Sequence, residues 1–277
     1  MEIRWHDLTH PPPDWQDGAL QQSLAYGAAM ASLGARVRLA EVAGLGRAMV
    51  LHRGGLRLIN RGPIFSPHAT LRDRVQFLRS IARHAGLTVA TFETPLGGLG
   101  LIPLITPRHH AVWDLRPLPH ALRAALHGKW RNRLKAAEGL EIRPAGPQAR
   151  AVLIAAEARQ RAARGYRALP ATFLDHWPED QILALHWRDG QGVQAGMVFL
   201  RHGRAASYHL GWASKPGRAS FAHGPMLWQA ALALRAQGVE ALDLGAVDSA
   251  NPGLARFKLG TGAALHALGA TTLVVPG

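Results

Sequence analysis

The sequence predicts an α/β fold of the α+β type, with two tandem domains that each contain a mixed, mostly antiparallel sheet flanked by helices. Two observations lead to this prediction. One order of elements, helix, strand meander, helix and strand, can be followed through the first half and again through the second. The length of 277 residues suits two domains of roughly 100–150 residues each. We therefore expect one domain over residues 1–112 and a second over 113–277.

The first half supplies the first copy of this order. Apolar residues at helical spacing predict a helix over residues 20–31 and another that follows Thr70 and ends at Gly86. Strand-like segments on both sides of Gly54-Gly55 predict a hairpin. A further strand is predicted after the second helix, over residues 87–92.

The second half repeats the order after a helix that Gly128 weakens by about 1 kcal/mol relative to alanine. Its elements are predicted from periodicity, turn dipeptides and helix-ending glycines. They are helices at 119–138, 148–163 and 225–236, a meander at 182–187, 193–200 and 206–212, and strands at 239–244 and 271–275.

Composition excludes several classes of site. The chain contains no cysteine, so it has no disulfide, thiolate zinc site or cysteine nucleophile. Four histidines, His109, His110, His120 and His127, lie close together in sequence, but their spacing matches no zinc motif, and we expect no metal.

The charged start lacks a signal peptide's apolar core, and no apolar run approaches the ~18 residues of a membrane span. We therefore expect a cytoplasmic protein.

The formal net charge of +14 has two interpretations. One is an anionic partner, such as RNA, a phosphate-bearing cofactor or an anionic membrane surface. The other is a genome that favours arginine over lysine. The basic residues do not form a consecutive block, which argues against a nucleic-acid-binding tail.

The strongest motif lies near the end of the chain. A strand ending in Asp243-Leu244-Gly245 is followed, after a short loop, by Phe257-Lys258-Leu259-Gly260-Thr261-Gly262. This pattern resembles the Fem-type aminoacyltransferases, members of the GNAT acyltransferase superfamily that extend peptidoglycan precursors using aminoacyl-tRNA. Tyr208–Ser214 is similar to the family's tyrosine-bearing strand, and Lys129–Lys135 is similar to its basic stretch. The resemblance implies two tandem GNAT-like domains, the second of which carries the acyl-donor site.

The resemblance and the chemistry of the side chains together suggest roles for individual residues. Lys258 would hold the acyl carbonyl or an adjacent phosphate, because preorganised donors that stabilise an oxyanion contribute strongly to catalysis. His209 and His223 are candidates for taking the proton of the attacking amine, since imidazole titrates near neutrality. The remaining candidates are substrate-binding residues, and they are Tyr208, Arg167, Asp243, Arg256, Gly260, Gly262 and Arg131.

The expected reaction is direct acyl transfer to an amine, because the chain has no Gly-x-Ser-x-Gly elbow or other nucleophile signature. No cofactor is expected beyond the donor itself, which is aminoacyl-tRNA or acyl-CoA. The stretch Arg218–Pro225 has one glycine where GNAT enzymes use several to hold a pyrophosphate, which disfavours acetyl-CoA. The acceptor is a small-molecule or cell-wall-precursor amine. An acyl-CoA N-acyltransferase and a non-catalytic RNA-binding protein of the same fold stay open as alternatives.

Overall fold

The computed structural model describes residues 1–13, 15, 18–83 and 87–277. The helices are α1 Leu24–Ser32, α2 Leu71–Ala82, α3 Pro119–Ala125, α4 Gly128–Ala136, α5 Pro147–Arg164, α6 Lys215–Ala219, α7 His223–Ala236 and α8 Pro252–Leu259. The strands are β1 Arg4–His6, β2 Arg36–Val42, β3 Gly46–Arg53, β4 Leu56–Asn60, β5 Ile64–Phe65, β6 Leu87–Thr91, β7 Leu101–Ile105, β8 His109–Asp114, β9 Arg143–Pro144, β10 Ile182–Asp189, β11 Gly192–His202, β12 Ala205–Ala213, β13 Ala241–Val247, β14 Ala264–Ala267 and β15 Thr271–Val274.

The chain divides into two compact units, Met1–His109 with His266–Gly277, and His110–Leu265. In the first unit the described strands form a sheet in the order β1-β2-β3-β4-β6-β15-β7, with β5 paired to β3. Helix α2 begins with a capping box between Thr70 and Asp73 and packs Phe77, Leu78 and Ile81 into this unit's core.

The second unit is built on a sheet whose described strands run in the order β14-β8-β13-β12-β11-β10-β9. The meander predicted from the sequence is present, because β10, β11 and β12 pair antiparallel in succession. Helix α7 lies across the core with Met226, Leu227 and Leu234 fully buried. It leads to β13, which pairs parallel with β12 over only three residue pairs, from Ala205–Ala241 to Ser207–Asp243.

Three of the predicted boundaries differ from the structure. The unit boundary lies at His109 rather than at residue 112, and residues 266–277 belong to the first unit instead of the second. The reason is that β15 lies between β6 and β7 and pairs antiparallel with both. The helix predicted over residues 119–138 is divided, since Leu126 and His127 have extended backbone between α3 and α4. The predicted helix stop Gly86 lies outside the described residues.

None of the described helices combines the length and the apolar character needed to cross a membrane.

Candidate active site

The predicted motif folds into a strand, a loop and a short helix. β13 ends beyond Gly245, whose φ of +80° is the left-handed conformation that glycine adopts without strain. Asn251 then caps α8 by accepting a hydrogen bond from the backbone N–H of Leu254, and Pro252 occupies the first helical position. This geometry brings the last turn of α8 back to the end of β13.

Lys258 lies in that last turn and is buried, with only 6% of its surface exposed. Its Nζ donates a hydrogen bond to the backbone oxygen of Ala246 at 2.8 Å. Burial lowers the pKa of Lys258 from 10.5 to about 8, while the charge of Asp243 acts in the opposite direction. From the sequence, Phe257 is expected to pack inward, with the Lys258 side chain pointing to solvent or to the cleft. The structure differs, because Lys258 is buried and Phe257 is only half-buried.

Asp243 is held by two further contacts. Its Oδ1 accepts a hydrogen bond from the backbone N–H of Gly245 at 2.7 Å, and both carboxylate oxygens lie 3.1 Å from Nδ1 of His110. The exposed fraction is 15% for the His110 side chain and 14% for the Asp243 side chain. The arrangement therefore fixes a carboxylate close to a buried ammonium, and this carboxylate favours the charged form of the lysine.

A cavity of about 1000 Å³ lies beside this motif, within the second unit. Its apolar wall comes from three mutually packed rings, with centroid separations of 5.7 Å for Trp130–Phe221, 6.0 Å for Trp130–Phe257 and 6.0 Å for Phe221–Phe257. The indole N–H of Trp130 donates to the backbone oxygen of Phe257 at 3.0 Å. We name this space the aromatic cavity. Its other lining residues are His127, Lys129, Arg133, Val247, Asp248, Ser249, Pro252, Gly253, Ala255, Arg256, Leu259 and Gly260.

Phe221 is in an unusual backbone conformation, with φ of +52°. Bulky residues rarely adopt the left-handed region, and such residues are concentrated at functional sites. A side chain at Gly224 would place its Cβ 2.2 Å from the Phe221 ring, so glycine at 224 makes room for this ring. The guanidinium of Arg133 lies 5.7 Å from the centre of the same ring.

Packing within the protein accounts for the two glycines of the motif. A Cβ at Gly260 would lie 2.7 Å from the Trp130 ring, and one at Gly262, where φ is +88°, would lie 3.1 Å from the backbone oxygen of Ala125. Gly260 also lines the aromatic cavity. These two glycines, predicted to bind substrate, thus make their close backbone approaches to α4 and α3.

Two of the other predicted residues adjoin the cavity. Arg256 lines it, with its Nε donating to the backbone oxygen of Pro252 at 3.2 Å. His223 begins α7, with its Nε2 3.0 Å from the Trp212 carbonyl oxygen and its ring 6.4 Å from that of Phe257. Burial lowers the pKa of His223.

The remaining predicted residues lie elsewhere in the unit. His209 stacks on Phe173 at 5.6 Å, and burial lowers its pKa to about 4. Tyr208 follows the last β12–β13 pair, and burial raises its pKa. Arg167 is exposed in the loop after α5. Arg131 is exposed on α4, donates to the backbone oxygen of Ala124, and is not among the residues lining the cavity.

Sequence reasoning missed His110 as a partner of Asp243, and it missed Phe221 and Trp130 as cavity residues. In the sequence, His110 stands out only as one of four histidines that lie close together, and this pattern does not indicate Asp243 as its partner. Among the described residues, no group of three or more His, Asp or Glu side chains could hold a metal ion.

Most backbone amides of the segment Arg218–Pro225 are hydrogen-bonded to carbonyl oxygens close by in the chain. The N–H groups of Ser220, Phe221, Ala222 and Gly224 donate to carbonyl oxygens within 214–225 at 2.9–3.1 Å. Pro225 has no N–H to donate. A pyrophosphate at this segment would find few unpaired amides.

No protein-family model and no curated protein matches the sequence. Solved structures do match, and their likeness confirms the predicted fold class of mixed, mostly antiparallel sheets flanked by helices. FemX has a TM-score of 0.77 at 14% identity, with 99% of this chain and 98% of FemX covered. The C-terminal domain of a putative lysylphosphatidylglycerol synthetase from Agrobacterium fabrum has a TM-score of 0.56 at 13% identity, covering 93% of this chain and 89% of that chain. A conserved protein of unknown function from Bacteroides thetaiotaomicron has a TM-score of 0.59 at 10% identity, with 86% of each chain covered. At identities this low, the structural likeness establishes the fold alone.

Proposed function

We propose that this protein is an acyltransferase that moves an aminoacyl or other acyl group from an activated donor to an amine. The observation that carries the proposal is the buried ammonium of Lys258, adjacent in sequence to a ring of the aromatic cavity. The Fem-type resemblance of the motif and the FemX-like fold support the same reaction class.

The chemistry requires stabilisation of an oxyanion. The acceptor nitrogen attacks the acyl carbon, the carbonyl oxygen becomes negatively charged, and the bond from carbon to the donor's oxygen or sulfur then breaks. A donor fixed in a site of low dielectric stabilises that charge far better than one in water. With a pKa of about 8, Lys258 is protonated in roughly nine molecules of ten at pH 7. It can therefore supply an N–H donor, and Asp243 helps to keep it charged.

The attacking amine must also lose a proton. Of the two predicted histidines, His223 is favoured, because its ring lies close to Phe257, the residue before Lys258. Its lowered pKa keeps the imidazole neutral at pH 7, which is the form that accepts a proton. His209 is neutral as well, but a pKa of about 4 makes it a weak base.

Aminoacyl-tRNA is the donor that we favour over acyl-CoA. The cationic side chains of Lys129, Arg133 and Arg256 line the cavity and suit a phosphate backbone. The acceptor that the Fem-type resemblance suggests is the amine of a cell-wall precursor, with a smaller amine as the alternative.

The test is a transfer assay with mass-spectrometric detection of product. The protein is incubated with a pool of charged tRNAs or with a panel of acyl-CoAs, in the presence of an amine-bearing peptidoglycan precursor. A product whose mass has increased by one acyl group supports the proposal. Stoichiometric RNA binding with no product from any donor would replace it with the RNA-binding alternative.

Acetyl-CoA should bind weakly or not at all. The reason is that the amides of Ser220, Phe221, Ala222 and Gly224, where GNAT enzymes hold the pyrophosphate, are already hydrogen-bonded within the segment. Calorimetric titration with acetyl-CoA measures this directly. Low-micromolar binding would refute the prediction and favour the acyl-CoA enzyme.

Activity should fall as pH rises through about 8. Lysine carries its charge below its pKa, so an oxyanion donor at position 258 is lost above that pH. In Asp243→Asn the fall should shift to lower pH, because the carboxylate raises the lysine's pKa. The measurement is kcat/KM across the neutral and mildly alkaline range, with Asp175→Asn as an exposed control. Activity that rises through pH 8 would instead identify Lys258 as a neutral base.

A further inference from the structure

The first unit contains a further cavity, of about 660 Å³, whose lining is rich in arginine. Four arginines line it, together with a histidine, a tryptophan and one acidic residue. We name it the arginine pocket. Its lining residues are Met1, Glu2, Ile3, Trp5, Arg36, Arg38, His52, Arg57 and Arg83.

Strand register aligns the polar residues of the pocket. Arg36 of β2 is directly opposite His52 of β3, and His52 is opposite Arg57 of β4. Arg57 is in turn beside Thr88 of β6. Residues paired in this way point to the same face of the sheet, with Cβ atoms about 5 Å apart in antiparallel pairs. Two guanidinium groups therefore lie on either side of an imidazole, in a row that contains no acidic residue.

Contacts within the protein involve several of these arginines, and one of the contacts is to an acidic side chain. Asp7 pairs with Arg38 at 3.2 Å, Arg57 donates to the backbone oxygen of Ile81 at 2.7 Å, and Arg83 donates to the oxygen of Gly277 at 2.8 Å. Glu2 is the acidic residue in the lining. Arg36 has no ion pair among the residues that the structure describes. Arg36 and Arg57 therefore carry like charges with only the His52 imidazole between them, and no acidic residue of the row offsets their repulsion.

Two buried polar atoms in the same row are unsatisfied. Nε2 of His52 and Oγ1 of Thr88 have no hydrogen-bond partner in the described part of the chain. Buried polar atoms are normally paired, and unpaired ones call for an explanation such as a ligand or an ion. Both atoms belong to side chains that neighbour Arg57 in the sheet.

We propose that the arginine pocket binds the phosphate group of a small anionic molecule, held by Arg36, Arg57 and His52. A phosphate offers several acceptor oxygens, which match forked guanidinium donors. The volume lies within the roughly 300–1,000 Å³ of small-molecule sites. Trp5, over which Arg38 lies at 6.0 Å, provides an apolar wall for the rest of the ligand. This site is separate from the acyl-transfer motif and does not depend on the proposed reaction.

The test uses inorganic pyrophosphate as the probe and calorimetry as the readout. Binding to the full chain should weaken roughly tenfold or more in Arg36→Gln, because a charge-assisted contact is lost. The pyrophosphate affinity of Arg36→Lys should lie between those of the unchanged protein and Arg36→Gln, because lysine keeps the charge but lacks the forked guanidinium. The matched control is Arg53→Gln, an exposed arginine on the same strand as His52 and on the opposite face of the sheet.

A second readout locates the ligand. Burial and the charges of Arg57, Arg36 and Arg38 lower the pKa of His52 in the free protein. A bound anion should raise that pKa, because it favours the imidazolium, and NMR titration of the His52 ring measures the change. Pyrophosphate binding that leaves the His52 pKa unchanged, or that weakens equally in Arg53→Gln, overturns the proposal. So does an absence of binding.

A vesicle-binding assay distinguishes a phosphate on a lipid headgroup from a phosphate on a soluble molecule. The protein is tested on phosphatidylglycerol vesicles, with phosphatidylcholine vesicles as the comparison. If it binds only the phosphatidylglycerol vesicles, and Arg36→Gln abolishes this binding, the phosphate belongs to a lipid headgroup. Pyrophosphate binding without vesicle binding assigns it to a soluble phosphorylated molecule.

Discussion

Replacing Lys258 with methionine should lower acyl transfer by roughly 10²–10³ in turnover, because an oxyanion donor is removed. Methionine is similar in length, so the buried site stays filled, whereas alanine would leave a void. The assay is single-turnover transfer with whichever donor proves active. Lys135→Met is the matched control, since Lys135 is exposed on α4 and is not among the cavity-lining residues.

The same substitution should raise the free energy of unfolding at neutral pH by about 1–2 kcal/mol. The lysine's pKa is lower in the folded protein than in the unfolded chain, about 8 against 10.5. Its proton is therefore bound more tightly when the chain is unfolded, and burying the charge costs stability below pH 8; this cost fades as pH rises towards 10.5. The bond to Ala246, worth about 1 kcal/mol, offsets part of the gain.

Urea unfolding at pH 7 measures this gain in Lys258→Met. A variant that is both more stable and inactive shows that stability was given up for function at this position. A variant that keeps its activity removes Lys258 from the reaction. A variant that is less stable shows instead that the ammonium is a structural group.

Trp130→Ala should destabilise the second unit by about 3–5 kcal/mol, the usual cost of removing a large buried aromatic side chain. Trp130 is 5% exposed, packs against Phe221 and Phe257, and donates its indole N–H to the backbone oxygen of Phe257. Its loss also removes the surface against which Gly260 packs. Chemical denaturation followed by circular dichroism gives the value.

Trp130→Phe serves as the control, because it keeps an aromatic ring and loses only the hydrogen bond and part of the volume. We expect it to cost about 1–2 kcal/mol and to preserve the aromatic cavity. If Trp130→Ala were as stable as Trp130→Phe, the three-ring wall would contribute no more than ordinary surface contacts, and the cavity would lose its structural basis.

Local pattern was sufficient to predict much of the fold. The meander β10–β12 alternates clearly and is separated by glycine-containing turns, so its strands were found within a few residues. Helix α5 lies where the sequence predicts a helix over 148–163, and its ends are set locally by Pro147 and by Gly165, whose φ is +68°. In both cases the information lies within the segment itself.

Long-range contacts explain what the sequence did not predict. The burial of Lys258 depends on where α8 packs against the end of β13, and a single lysine at helical spacing does not reveal this. His110 and Asp243 are separated by 133 positions in sequence, and only the sheet order brings them together. The aromatic cavity likewise joins Trp130, Phe221 and Phe257 from three separate segments.

The place of β15 has a consequence for how the protein folds. In the first unit's sheet, β7 is joined to the other strands only through β15 among the described strands, and Thr271 pairs with Thr91 across 180 positions of chain. Such distant pairing makes folding slow, because a very long loop must close before the contact forms. During synthesis, the edge of β6 stays without this partner until β15 has left the ribosome. The first unit therefore completes its sheet only after the second unit has been synthesised, and until then β6 offers an unpaired edge that favours misassociation.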